Sequence, residues 1–292
     1  MSICAVVVSY HPTAEIAENV AALFDQVDEV VIVDNGSDAP TKELLGKLNC
    51  YPKVSVIYSE ENLGIAAALN IGVKHAKAAG HQWVATFDQD SKVTAGMIIT
   101  MLQTYDAYLE KERIAILAPR YKDKTTGRIT SNASKNVDYE KEPFAEMLTT
   151  ITSGNLVKLS VFDAVGYFNE KLFIDYVDHE FCLRCAAHGY KILEVHDAVL
   201  EHSLGRPTQH RFFGKMPTTA NHSALRRYYN ARNRIYVYKK FAFVYPAWVA
   251  KNAYAFLKEI IKLILFERDR RQKLVAVCRG VFHGLVGRLG KL

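Results

Sequence analysis

A chain of 292 residues, 49% hydrophobic and 23% charged with only 8 prolines, is long enough for one large or two small domains and too apolar for wholesale disorder. Its formal net charge of +6 hides an asymmetry: residues 211–292 carry 18 Lys and Arg against 3 Asp and Glu, whereas residues 1–210 carry 19 against 28. An acidic front and a strongly basic tail point to two different jobs.

The chain opens on MSICAVVVSY, which has neither a basic n-region nor a small-residue cleavage site, and reads as a first strand rather than a secretory leader. Residues 3–8 (ICAVVV) are a continuous apolar run rich in β-branched residues, the pattern of a strand buried on both faces. Helical spacing follows over 13–25, with Ile16, Val20, Leu23 and Phe24 on one side. A second strand is expected at 29–35, a helix at about 40–48 and a third strand at 53–59. ENLGIAAALNIGVKHAKAAG (61–80) reads as a helix entered through a Gly-containing loop, and HQWVATFDQDS (81–91) as a fourth strand. A helix from about Thr94 to Lys111 and a fifth strand at 114–121 complete a β-α alternation. Such alternation indicates a doubly wound, mostly parallel α/β sheet, in which ligands sit at the carboxyl ends of the strands. Polar residues collect at those ends: Ser9-Tyr10-His11, Asp34-Asn35 and Asp88-Gln89-Asp90. The chain has no Gly-x-Gly-x-x-Gly and no Gly-Lys-Ser loop, which disfavours dinucleotide enzymes and P-loop NTPases. A nucleotidyltransferase is disfavoured because VVSYHPT lacks a Gly-rich basic loop.

Asp88 and Asp90 flank one residue at a strand end. Residues i and i+2 of an extended segment point to the same side, so the two carboxylates repel unless a cation lies near. Hard oxygen ligands suit Mg2+ or Mn2+ bridging to a diphosphate; the alternative is helix capping or an Asx turn. Asp34 could accept the N3–H of a pyrimidine base, with Tyr10 as an aromatic wall, or it could simply serve the turn before Gly36. Asp178 and Glu180 precede a helical stretch, where a carboxylate either caps the helix or acts as a general base on a sugar hydroxyl. His202 is either structural or, if it faces Asp90, a third metal ligand. The five cysteines (Cys4, Cys50, Cys182, Cys185, Cys278) include a single Cys-x-x-Cys pair in a helical stretch, with no second pair to complete a zinc site. They read as structural and reduced.

The segments VVSYHP (7–12), IVDNGSD (32–38), ENLGIAAALNIGVKHA (61–76), FDQDS (87–91), SGN (153–155), DYVDHEFCLR (175–184), EHSLG (201–205) and RRYYNARNR (226–234), taken in order, resemble the family 2 inverting glycosyltransferases with the GT-A fold. FDQDS joined to NLGIAAALN is similar to the bacterial members that use dTDP-L-rhamnose. The resemblance, which spans roughly residues 3–240, implies transfer of a sugar to a hydroxyl of a cell-surface polysaccharide or lipid-linked glycan. Another nucleotide sugar, or an inactive sugar-nucleotide sensor, is the alternative. It assigns Ser9, Tyr10, Asp34, Asn62 and Asp88 to the nucleotide sugar, with Asp34 reading the base. It assigns Asp90, with Asp88 and His202, to a divalent metal, Mg2+ or Mn2+. Asp178 matches the catalytic base; relatives usually carry an acidic pair there, where this chain has Val177-Asp178. Ser153, Gly154 and Asn155 match the loop under the sugar and acceptor, and Glu180 either holds the acceptor or orders the loop.

The catalytic domain is expected over 1–210 and a basic helical region over 211–292. In the tail, Tyr254, Leu257, Ile261 and Ile264 follow helical spacing with Lys251, Lys258 and Lys262 on another face, and Leu274, Val277, Val281 and Leu285 repeat the pattern. A basic amphipathic helix can lie on an anionic bilayer; a helical cap or a homodimer contact is the alternative. The longest charge-free apolar stretch in the tail, Phe241 to Ala250, is too short to span a membrane. The expected location is therefore cytoplasmic and peripheral at the inner face of the bacterial membrane. No recognisable nucleic-acid module accompanies the basic charge, so nucleic acid is not an expected partner.

Overall fold

The apolar run at the start of the chain forms β1 (Ile3–Ser9), buried along its whole length. In the computed structural model, which describes residues 1–124, 126–131, 142–202, 208–209, 216 and 218–292, β1 lies between β2 (Glu29–Asp34) and a later strand, and β2 is followed in the sheet by β3 (Val54–Tyr58), all parallel. The later strand is β4 (Trp83–Asp88). Short β5 (Lys92–Val93), long β6 (Ile114–Asp123), β7 (Ile129–Thr130), β8 (Phe144–Met147), β9 (Asn155–Lys158) and β10 (Lys191–His202) complete a mixed sheet in the order β3-β2-β1-β4-β9-β6-β10-β5, with β7 on β6 and β8 on β10. The predicted doubly wound, mostly parallel α/β sheet is thus present, flanked by helices.

The predicted fifth strand does not neighbour the fourth. Between β4 and β6 runs β9, antiparallel to both, a four-residue strand too short to show a period in the sequence. Helices α1 (Ile16–Ala21), α2 (Ala39–Gly46), α3 (Ile65–Ala78) and α4 (Met97–Ala107) fall where the spacing places them, though α1 and α4 are shorter. α4 starts late because Lys92–Val93 pairs with β10 and the Thr94 hydroxyl donates to the Val199 carbonyl at 2.7 Å. Two further helices, α5 (Val161–Val165) and α6 (Val177–Ala187), precede β10. The core joins Val7, Ile32, Phe87, Met101, Leu117 and Leu200.

The chain divides into two compact units. The first comprises Met1–Glu170 and Val177–Ser203, and the second Lys171–Tyr176 with Leu204–Leu292. Among the described residues, the second holds a ribbon, β11 (Thr208–Gln209) and β12 (Thr218–Thr219), and three helices: α7 (Ala224–Phe241), α8 (Pro246–Phe266) and α9 (Arg270–Val286). α9 packs on α7 through Val277, Gly280, His283 and Gly284. A Cβ at Gly280 would lie 2.4 Å from the Tyr228 carbonyl oxygen, and one at Gly284 2.5 Å from that of Arg232. Of the four apolar residues at helical spacing, Val277 is buried, Leu274 and Val281 are half-buried and Leu285 is exposed; the seam is built on glycines that carry no hydropathy signal. On α8, Leu263 is the one buried residue. Among the described residues, no helix is long and apolar enough to cross a membrane.

Candidate active site

Three parallel strands end side by side. In register, Ser9 of β1 faces Asp34 of β2, and Val8 faces Asp88 of β4. The carboxyl edge therefore carries Ser9, Asp34 and Asp88 as neighbours, as the crossover rule requires of a ligand site.

At the β2 end, Asp34 is fully buried and its Oδ2 accepts from the Ser37 amide at 3.1 Å. Its other carboxylate oxygen and the Ser9 hydroxyl are buried without a hydrogen-bond partner. Burying such groups unpaired costs free energy, so the pair is suited to a ligand that brings its own donor. Tyr10, next along, is half-exposed, its amide held at 2.7 Å by the Gln89 side chain. Asn62 shapes the neighbouring loop: its Oδ1 accepts from Asn35 Nδ2 at 3.2 Å and from the Gly64 amide at 2.9 Å.

At the β4 end, Asp88, Asp90 and His202 bring one ligand atom each within 4.8 Å of one another. His202 comes from the far end of β10, beyond a register shift between Val195 and Val199 that bends the strand locally. His202 Nδ1 lies 3.7 Å from Asp90 Oδ1 and 2.8 Å from the Ser91 hydroxyl. Ser91 Oγ contacts Ser153 Oγ at 2.7 Å, and Ser153 Oγ accepts from the Asp88 amide at 3.1 Å. A chain of hydrogen bonds therefore runs beneath the cluster from Asp88 to His202. Two carboxylates and one imidazole form a donor set that fits Mg2+ or Mn2+. The remainder of the EHSLG segment, 203–205, lies outside the described residues.

The SGN loop is the floor. Ser153 and Asn155 are buried, and Gly154 turns with φ +83° while its amide donates to the Thr86 carbonyl at 2.6 Å. A Cβ there would meet Pro119 Cγ at 2.7 Å and Leu200 Cδ2 at 2.8 Å, so the loop closes on the sheet only with glycine. Tyr121 donates to the Ser153 carbonyl at 3.3 Å. Burial holds its phenol well above the ordinary range, and the charge of Asp178 adds to this.

Asp178 lies in the first turn of α6, half-buried, with Oδ1 accepting from the His179 amide at 2.7 Å. Glu180, on the same turn, is 0% exposed and ion-pairs with Arg184 at 2.9 Å. Arg184 in turn donates to the carbonyls of Val165, Gly166 and Tyr167. Glu180 is thus sealed behind Arg184 and tied through it to the 165–167 backbone, the placement that the loop-ordering alternative calls for. Sequence reasoning misses Gln89, Ser91 and Tyr121. The first two stand inside the FDQDS run and Tyr121 ends a predicted strand, so position at a strand end is the signal that could find them.

A second group, Cys4, Glu29 and His81, also lies within 4.8 Å, at the amino ends of β1 and β2. Its carboxylate is engaged by His75 at 2.7 Å and His81 at 2.9 Å.

Residues 4–168 match the model of the family described as Glycosyl transferase family 2. The dTDP-rhamnosyl transferase RfbF of Shigella flexneri is 34% identical over 251 residues, 82% of this chain and 80% of that protein. The galactofuranosyltransferase GlfT1 of Mycobacterium tuberculosis (strain ATCC 25618 / H37Rv) is 27% identical over 257 residues, 81% and 82% of the respective chains. Among solved structures, GalNAc-T7 with UDP, GalNAc and Mn2+ superposes with a TM-score of 0.64 at 15% identity, over 85% of this chain and 49% of that one, so this chain spans about half its length. S. aureus TarS 1-349 gives 0.62 at 15% identity, over 99% and 82%. At these identities the structural likeness speaks to the fold, which is that of GT-A glycosyltransferases.

Proposed function

This chain belongs to glycosyl transferase family 2, a nucleotide-sugar-dependent glycosyltransferase, and from that premise we propose that it transfers L-rhamnose from dTDP-L-rhamnose with inversion. The acceptor is a hydroxyl of a cell-surface polysaccharide or a lipid-linked glycan. The donor assignment is supported by the 34% identity to a dTDP-rhamnosyl transferase. The observation that carries the reading is the shared strand edge: the unpartnered Ser9 Oγ ends β1, beside the β4 strand that leads into the Asp88–Asp90–His202 cluster, and the unpartnered Asp34 Oδ1 ends β2, one strand further along. One end suits a base that donates a proton, the other a diphosphate.

Asp34 accepts the N3–H of thymine, Ser9 lies beside it, and Tyr10 walls the base. Asp88 and Asp90, with His202, hold a divalent ion, whose chemistry when bound is to neutralise the charge that builds on the departing diphosphate. Ser153, Gly154 and Asn155 floor the sugar site. The acceptor oxygen forms its bond to the anomeric carbon on the face opposite the diphosphate. The bond from that carbon to the dTDP oxygen breaks, and its electron pair leaves with dTDP. Asp178 removes the proton from the attacking hydroxyl. No covalent enzyme intermediate forms.

The second unit docks on an anionic bilayer surface at the cytoplasmic face. The support is that α8 turns Tyr254, Leu257, Ile261 and Ile264 to solvent, preceded by Phe243 at 98% exposure, beside Lys251, Lys258 and Lys262. Apolar surface and cationic charge are the two terms that hold a helix in a lipid interface. Flotation with anionic vesicles, lost in neutral vesicles and in a Leu257→Glu, Ile261→Glu variant, checks this. Soluble dimers that those substitutions disperse would contradict it.

Thermal-shift measurements with dTDP-L-rhamnose, other dTDP-sugars and UDP-sugars, each with and without Mn2+ or Mg2+, test the donor assignment, because a ligand of the native state raises its stability. The largest shift is expected from dTDP-L-rhamnose with metal. A larger shift from a UDP-sugar would overturn the donor assignment.

A further inference from the structure

The segment leading into α6 is built against the preferences of its own residues. Between Lys171 and Tyr176, three non-glycine residues adopt left-handed backbone: Phe173 at φ 65°, Asp175 at 63° and Tyr176 at 64°. Each such position is costly and persists only where its surroundings over-determine it. Phe173 and Tyr176 are bulky aromatics, for which left-handed φ is a genuine outlier.

The surroundings come from the RNR end of RRYYNARNR. Asn233 is fully buried, and its Nδ2 donates to the carbonyls of Leu172 and Ile174, both at 2.7 Å, and of Asp175 at 3.0 Å. Arg232, 1% exposed, donates to the Asn233 Oδ1 at 2.9 Å and to the Leu172 carbonyl at 3.1 Å. Arg234 stands over the Tyr176 ring at 5.4 Å, and Tyr229 stacks on Phe173 at 5.1 Å. Arg226 pairs with the Asp175 carboxylate at 3.2 Å. Every turn of α7 from Arg226 to Arg234 thus contributes to fixing six residues.

Two residues beyond Tyr176 in the chain stands Asp178. We propose that Asn233, braced by Arg232, is a positioning residue for Asp178, holding the left-handed entry to α6 so that the base meets the acceptor hydroxyl at hydrogen-bond distance. This rests on the assignment of Asp178 as the base. A displacement of about 1 Å costs on the order of a hundredfold in rate, so a strained, over-braced entry has a use here that a relaxed one lacks.

The test is Asn233→Ala in the full chain, with turnover of dTDP-L-rhamnose, dTDP affinity and Mn2+ half-saturation measured together. The expected result is a fall in kcat of about tenfold or more, with dTDP affinity and Mn2+ half-saturation within about twofold of the parent. Adding Asp178→Asn should cost little beyond Asp178→Asn alone, as coupled residues are non-additive. A kcat within about twofold of the parent, a parallel loss of dTDP affinity, or a fully multiplicative double variant would each overturn the proposal. If Asn233→Ala does not fold, Arg226→Ala, at a half-exposed site, decides. The same split at about threefold supports the proposal and an unchanged kcat overturns it. Failure of the base assignment shows separately, as turnover retained by Asp178→Asn alone.

Discussion

The hydroxyl of Ser91 lies 2.8 Å from Nδ1 of His202 and 2.7 Å from the hydroxyl of Ser153. It thereby ties the imidazole from the end of β10 to the loop that holds the amide of Asp88. The ligand groups come from chain positions more than a hundred residues apart, and this serine is what orients the most distant of them. Groups that orient a ligand typically tune metal affinity by about 10–100-fold. Ser91→Ala should therefore raise the Mn2+ concentration for half-maximal turnover about tenfold or more, with the melting temperature little changed. An unaltered Mn2+ titration would show that His202 needs no such support.

Gly154 makes a stability prediction with an internal control. An alanine there meets both the positive φ and the side chains of Pro119 and Leu200, and strain with overpacking should cost about 2–5 kcal/mol together. Gly80 has φ +80° with open space, free of any atom within 4 Å, where a Cβ would lie, so Gly80→Ala should cost only about 1 kcal/mol. Urea unfolding of both variants reads the difference directly. Equal losses would mean that the Pro119–Leu200 wall yields.

Most of the frame is legible in the sequence. The strands at 3–8 and 29–35 announce themselves as apolar runs rich in β-branched residues because a parallel sheet buries both faces, the edge strand at 53–59 keeps the β-branched residues, of which only Val54 is buried, and the polar residues at the strand ends mark the ligand edge. What escapes does so for identifiable reasons. β9 is four residues long and shows no period. The α7–α9 seam rests on Gly280 and Gly284, residues that a hydropathy pattern discounts. Glu180 reads like Asp178 because charge precedes helices for many reasons, and only its burial against Arg184 separates the two. The left-handed entry at 173–176 is invisible in a sequence of Phe, Asp and Tyr, since nothing in those residue types asks for that conformation.

The cysteines make a chemical prediction. Burial pushes the Cys4 thiol up to about 12, with Glu29 adding to it, and burial likewise takes Cys185 to about 12 and Cys182 well above its ordinary value. Cys50 and Cys278 are exposed. Since the thiolate is the reactive form, a thiol reagent should modify two of the five cysteines in the native protein and all five after unfolding. Rapid native modification of Cys182 or Cys185 would contradict the α6 packing.

Glu29 makes a pH prediction. Burial raises its pKa, but hydrogen bonds and charge from His75 and His81 outweigh this, and the net shift is downward from 4.5. A carboxylate with a depressed folded pKa contributes stability that is fully present above its unfolded value and is lost as pH falls through the folded value. The melting temperature of the parent should therefore drop further between about pH 5 and about pH 2 than that of Glu29→Gln. Identical drops would remove Glu29 from the acid response.

The central claim is that Asp178 takes the acceptor proton at a site whose donor is held by other residues. Asp178→Asn, assayed with dTDP-L-rhamnose and Mn2+ and titrated in parallel with dTDP, measures that claim most directly. The account predicts a turnover reduced on the order of a hundredfold or more with dTDP affinity unchanged; turnover near that of the parent chain would contradict it.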